Sequence, residues 1–370
     1  MPPHSSSPLF IRRRTPSPIL KKRKTRKRKR SALIVDKNDN LIFDNLSCSS
    51  EDGDSSGRSS PDLVQINEIP RKLTVTCCSL TKIVEFDLAP DYLKHNPYIR
   101  RGYRFQLSAK DCIKSLFWWT NETLNIWTHF LGWMLHFYLT LRDHVQIAPE
   151  IFGEPALPGM SQTDRFIGTF VSICFQCCTG LSTLYHIFHC RSAESFQCWL
   201  GIDLLGISAS LLGIFVSSVY YAFWCHPYWM AFYLFMSTLM YAVSMSVQML
   251  PMFLDKKFDK IRTLVFFSWA VSGTIPLCHW AVNNGGFLEP LVLAIIGRIG
   301  MMYLLCGVAL FFYLTKFPEC IFPGKVDFVG SSHQWWHIWI VTAFYHWHNS
   351  VIQFISLRMD NGCFEYLLLQ

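Results

Sequence analysis

Beyond residue 124 the chain is a succession of long apolar runs, at about 124–142, 166–188, 199–224, 229–250, 263–282, 291–315 and 333–357, each separated from the next by a short polar interval. A hydrocarbon core of about 30 Å is crossed by roughly 17 to 25 helical residues, so each run has the length of one span. In lipid a helix satisfies its own backbone donors and acceptors, which an open strand cannot do. The spacing therefore predicts an all-α membrane protein, a seven-transmembrane helix bundle over 124–357. Charge agrees with length: of the 34 Lys and Arg residues 23 precede residue 124, and the remaining 247 residues carry 11 basic and 13 acidic side chains. Such a stretch lacks the polar surface that a water-soluble domain needs.

The first 72 residues read differently. Ser/Pro clusters, the triplet Arg12 to Arg14 and the run Lys21 to Arg30, in which only Thr25 is uncharged, predict a disordered basic tail. Its charge suits anionic lipid or an acidic partner; beside membrane spans it does not argue for a nucleic-acid partner. Residues 73–123 form a juxtamembrane segment, and 358–370 a short C-terminus on the far side. The first 30 residues hold no apolar core of a signal peptide, so the first span is expected to direct insertion. The fourteen cysteines show no readable pairing framework.

Orientation follows from basic residues. With the tail in the cytosol, the loops on its side hold Arg191, then Lys256, Lys257, Lys260 and Arg262, then Lys316 and Lys325; the opposite side has Arg142, Arg165 and Arg358, with Arg298 near that face. The N-terminus is thus expected inside. Asn45 and Asn121, which stand in glycosylation sequons, would face the cytosol and stay unmodified.

Ionisable residues inside spans are costly and mark candidate sites. His186 lies near the cytosolic end of the second span, Asp203 near the start of the third, and His333 and His337 open the seventh. Three helices far apart in sequence thus deliver these groups to one depth. His333 and His337 are four residues apart, on one helix face, as are Ser182 and His186. Three imidazoles with an open fourth position form the catalytic zinc pattern. Asp203 would be the fourth ligand or would hold the metal's water, and Ser182 would supply a neighbouring hydroxyl. His136, His279, His346 and His348 read as packing or interface residues. The polar opening of the first span, Asn121, Glu122, Thr123, Asn125, Thr128 and His129, reads mainly as a helix start, with Asn121 or Thr123 as cap and Glu122 complementing the dipole.

Taken together, Asn121-Glu122-Thr123 with Asn125-Ile126-Trp127-Thr128-His129 and Gly132, Ser182-x-x-x-His186, Asp203-x-x-Gly206 and His333-Gln334-x-x-His337 resemble the progestin and adipoQ receptor family. The resemblance starts near Tyr92, with Asn96-Pro97-Tyr98-Ile99 and Gly102-Tyr103-Arg104, and runs to about residue 357. It implies seven spans with a cytosolic N-terminus and a zinc ion on His186, His333 and His337, with Asp203 at the zinc-bound water and Ser182 beside it. It also implies two functions. Adiponectin receptors of the family are credited with hydrolysing ceramide. A Golgi-resident member, which Cys112-Ile113-Lys114-Ser115-Leu116, Tyr221-Ala222-Phe223 and Gly330-Ser331-Ser332-His333-Gln334 resemble most, is regarded as a tether that retains Raf kinase and dampens mitogen-activated signalling. The expectations are therefore a zinc-pinned Golgi scaffold, with the basic tail facing soluble partners, or an intramembrane amidohydrolase acting on a ceramide-like lipid.

Overall fold

A computed structural model of the chain describes residues 30–35, 41–46, 83–146, 148–360 and residue 363. Contacts divide the chain into Met1–Thr76 and Cys77–Gln370. In the first unit, strands β1 (Arg30–Val35) and β2 (Leu41–Leu46) pair antiparallel, with Arg30 opposite Leu46 and Val35 opposite Leu41. Two short apolar runs on either side of a polar interval at 36–40 are a hairpin pattern, which the surrounding basic run obscures. The rest of the expected tail lies outside the described residues.

The second unit begins with a small antiparallel pair, β3 (Ile83–Val84) and β4 (Tyr103–Arg104), then a short helix, α1 (Ala109–Lys114), whose N-terminus is capped by Ser108 accepting from the Asp111 N–H at 3.1 Å. Among the described residues, nine further α-helices follow: α2 (Thr123–Leu139), α3 (Pro149–Phe152), α4 (Gln162–Phe188), α5 (Ala193–Ala222), α6 (Pro227–Met249), α7 (Asp259–Ser272), α8 (Thr274–Asn283), α9 (Pro290–Thr315) and α10 (Ser332–Asp360). A π-helical turn, Thr140–Val145, prolongs α2, and α7 continues into α8 at Gly273. Among the described residues, five stretches are long and apolar enough to cross a membrane, Gln162–Arg191, Ala193–Ala222, Pro227–Met249, Asp259–Asn283 and Pro290–Thr315. The chain is an integral, multi-pass membrane protein.

Helix α4 is the centre of the bundle, with α5, α2 and α10 packed on it. Small residues set the spacing. A Cβ on Gly206 of α5 would fall 2.7 Å from the Cys178 Cα of α4, and one on Gly132 of α2 would fall 2.6 Å from Val341 Cγ2 of α10. Backbones approach this closely only where no side chain intervenes, as is common between helices in lipid. The interior is filled by Ile167, Val171, Phe175, Phe344, Trp347 and Val351, with Phe175 and Phe344 stacked at 4.1 Å.

The juxtamembrane segment closes one end of the bundle. Leu93, Ile99 and Tyr103 pack on Phe196 at the start of α5. Two buried carboxylates tie the segment to the loop before α10. Glu319 accepts from the Asn96 amide at 2.9 Å and from the Ser332 N–H at 2.8 Å, and Asp327 accepts from the Arg100 N–H at 2.9 Å and from Arg101 Nε at 3.1 Å. Glu319 thereby places a negative charge at the N-terminus of α10, where the helix dipole favours it, one residue before His333.

The opposite end is also tied together by polar groups. Asp143 accepts from His348 Nε2 at 2.9 Å and from Arg142, while Asp164 pairs with Arg358. A disulfide joins Cys225, just past α5, to Cys363. No pairing could be read from the sequence, because the two cysteines are 138 residues apart.

Candidate metal centre

Antiparallel packing of α4 and α5 builds the first part of the site. With Gly206 against Cys178, the next turns along α4 carry Ser182 and His186, while Asp203 lies one turn back along α5. Asp203 accordingly faces Ser182 and His186. Helix α10 starts at the same level and brings His333 and His337 inward. The imidazoles of His186, His333 and His337 each offer a ring nitrogen, and these three atoms lie within 4.8 Å of one another. His186 Nε2 and His333 Nε2 are 3.3 Å apart. Zinc bound to imidazoles at about 2.0–2.1 Å in tetrahedral geometry separates donor atoms by about 3.3–3.4 Å, so this pair of nitrogens fits two ligands of one such ion. Asp203 lies outside the group of mutually close atoms, which leaves it beside the centre instead of in it.

The tautomers support the same arrangement. Glu122 Oε2 stands 2.7 Å from His186 Nδ1. A carboxylate only accepts, so Nδ1 carries the proton and the Nε2 lone pair points at the triad. His337 Nδ1 is 3.1 Å from both the Asn125 carbonyl and Thr128 Oγ1. Because the Thr128 hydroxyl donates to the Leu124 carbonyl at 2.7 Å, His337 Nδ1 must be the donor, and its Nε2 is likewise left bare. A carboxylate or carbonyl behind a ligating histidine fixes the ring and raises its basicity.

This corrects the sequence reading of the polar opening of α2. Glu122 stands at the N-cap position but makes no side-chain cap; it accepts from His186 and from Asn125 Nδ2 at 2.9 Å. Thr123 does not cap α2 either: its hydroxyl turns back to the Trp118 carbonyl and the Thr120 N–H. Burial by itself pushes the Glu122 carboxyl up, but the hydrogen bonds it accepts from His186 and Asn125 favour its ionised form, and the group lies well below its ordinary range. His129, one turn further along α2, is stacked on His337 with ring centroids 3.5 Å apart, and neither of its buried nitrogens has a hydrogen-bond partner. The motif signal for these residues was present; what sequence spacing could not supply was the helix they face.

Away from the triad, His348 serves the Asp143 network, and three other histidines pack against neighbours. His136 sits edge-on to Phe175 at 5.3 Å, His279 meets the Tyr233 hydroxyl at 2.9 Å, and His346 bonds the Arg298 carbonyl at 2.9 Å. An apolar cavity of roughly 180 Å³ lies between α5, α8, α9 and α10, lined by Phe215, Tyr221, Trp280 and Trp347. It belongs to the opposite end of the bundle, and no residue of the triad lines it.

Fold and site together define a helical membrane protein with a cluster of three histidines that could hold a metal ion at one end of its bundle. Residues 117–348 match the Haemolysin-III related family. The chain is 38% identical over 287 residues to the human progestin and adipoQ receptor family member 3, covering 77% of this chain and 90% of that protein, and 37% identical to the mouse protein over the same shares. It is 32% identical over 276 residues to the adiponectin receptor protein of Drosophila melanogaster, covering 72% of this chain and 58% of that one. The chain belongs to the progestin and adipoQ receptor family.

Proposed function

We propose that this protein is a seven-span, receptor-like scaffold of the Golgi membrane whose three histidines, His186, His333 and His337, hold a zinc ion that pins α4 to α10. The observation that carries the metal reading is the convergence of three imidazole nitrogens within 4.8 Å, with two of the rings held so that Nε2 points inward. When bound, zinc would supply a cross-link between helix ends together with Lewis acidity toward a carbonyl or water. Residues of the chain do the rest: Glu122 and Asn125 orient His186, the α2 backbone orients His337, and Glu319 anchors the start of α10.

Seven spans are reached by adding α2 with its π-helical extension, and α10, to the five stretches above. A cytosolic N-terminus is supported by the basic residues and by the cysteines. Cys225 and Cys363 are oxidised at one end while buried thiols at the triad end remain reduced, as expected if the former faces an oxidising lumen and the latter the cytosol. Retention of a Raf-type kinase, with anionic lipid under the basic tail, rests on likeness to the family's Golgi member.

A second reading, hydrolysis of a ceramide-like amide, is favoured by Asp203 and Ser182 beside His186. There Asp203 would take or hold a proton of the attacking water. The separation of the apolar cavity from the triad ranks this reading second. Elemental analysis of the purified full chain tests the metal: about one zinc per chain is expected, lost in His337→Ala. Intact, folded protein without bound metal would sink the proposal.

A further inference from the structure

Arg104 is 1% exposed. Its two terminal nitrogens donate to Ser115 Oγ and to the His186 carbonyl, its Nε has no acceptor, and no carboxylate pairs with it among the described residues. A buried cation without a counter-charge is costly, so the groups near it that can become anionic are of interest. Two are thiols. Cys112 on α1 and Cys190 in the turn after α4 are fully buried, with sulfurs 3.8 Å apart, and the charge of Arg104 acts on both. Either sulfur can donate to the other, so the pair keeps one thiol in contact with whichever sulfur answers the Arg104 charge as a thiolate, the nucleophilic form.

We infer that Cys112 and Cys190 form a modification site, a dithiol oxidised to a disulfide by hydrogen peroxide, at the triad end of the bundle. Burial selects the oxidant: both sulfurs are fully buried, which favours a small neutral peroxide over the bulky glutathione disulfide. The thiolate of the pair attacks one peroxide oxygen, the O–O bond breaks, and the departing hydroxide takes the proton that this thiol released, giving water and a sulfenic acid. The sulfur of the second thiol then attacks the sulfenic sulfur, the S–O bond breaks, and the hydroxyl leaves as a second water with the second thiol's proton. Two thiols lose two electrons and the peroxide gains them.

Bonding brings the sulfurs from 3.8 Å to about 2.05 Å, drawing α1 toward the end of α4. Arg104 is hydrogen-bonded to Ser115 on one side and His186 on the other, so this movement bears on the first histidine of the triad. That consequence rests on the metal reading; the disulfide itself does not, so the two can fail separately.

The test is peroxide titration of the purified full chain in lipid nanodiscs, followed by alkylation and peptide mass spectrometry. A linked Cys112–Cys190 peptide, about 2 Da lighter than the two thiol peptides together, should form at least about tenfold faster than oxidation of the buried Cys174. In Cys112→Ser and in Cys190→Ser no linked peptide should form, and the remaining thiol should stall as a sulfenic acid that dimedone captures once the chain is unfolded. The inference is overturned if no linked peptide appears in the parent at doses that oxidise the exposed Cys198, or if neither single variant yields a dimedone adduct. Neither serine variant alters Arg104, so the comparison survives if Arg104 proves necessary for folding.

Discussion

Glu122 offers the sharpest test of the metal centre, because it touches no ion yet holds a ring that would. Its carboxylate receives His186 Nδ1–H at 2.7 Å and Asn125 Nδ2–H at 2.9 Å. Removing a carboxylate behind a ligating histidine commonly lowers metal affinity 10- to 100-fold, or about 1.4 to 2.8 kcal/mol at about 1.4 kcal/mol per decade. Glu122→Gln keeps one accepting oxygen but no charge, so a loss near tenfold is expected. Glu122→Ala leaves two buried donors without an acceptor, and its loss should approach a hundredfold. Each orphaned donor also costs about 1 to 3 kcal/mol of stability, so melting of the zinc-stripped protein must be measured alongside binding. The assay is competition for zinc against chelators of graded affinity, with the exposed Glu194→Gln as control. If both Glu122 variants bound zinc within about twofold of the parent while His337→Ala had lost it, the carboxylate would have no part in the centre.

Four further outcomes are expected. Asp203→Ala should abolish any ceramide turnover by purified protein while leaving zinc content and partner retention intact; turnover that survives would exclude Asp203 from the chemistry. Deleting residues 1–76 should do the reverse, weakening retention of a Raf-type kinase in pull-downs while zinc stays bound; the cut is placed there because Val84, Phe86 and Ala89 pack with Tyr103 in the second unit. Gly206→Leu forces a side chain into the Cys178 backbone, only 2.7 Å from the first added carbon, and overpacking of this kind costs about 1 to 3 kcal/mol or more; it should lower the melting temperature and weaken zinc binding together, and an unchanged melt would mean that the α4–α5 contact is looser than described. A glycosylation sequon placed in the 153–158 loop should acquire a glycan in cells while Asn121 stays bare, and glycan on Asn121 would reverse the assigned orientation.

Legibility in the sequence was uneven, and it divides by the range of the interaction. Seven apolar runs, the depth of His186, Asp203, His333 and His337, and the four-residue spacing of the last two could all be read directly, because helix period and span length are local properties of the chain. The disulfide between Cys225 and Cys363 and the anchoring carboxylates Glu319 and Asp327 could not, since each acts on a partner from a different stretch of the chain. Glu122 is the instructive case. Its position just ahead of α2 reads as a charge complementing the helix dipole, and only the approach of α4 shows that the carboxylate receives His186 Nδ1–H. The strand pair Arg30–Val35 and Leu41–Leu46 was not read from the sequence for a different reason, because the weight of nearby basic residues hid two short apolar runs.

By itself, then, the sequence determined that this chain must live in lipid as helices, and at what level its ionisable groups would lie, because hydrophobic length and helical period admit few alternatives. Which nitrogens meet, which proton each ring keeps and which carboxylate stands behind them were decided only by tertiary packing. Those facts depend on the rotation and spacing of helices, set by contacts such as Gly206 on Cys178 and Gly132 on Val341. A shift of an ångström there leaves the hydrophobic pattern unchanged and takes the three imidazoles out of reach of one ion.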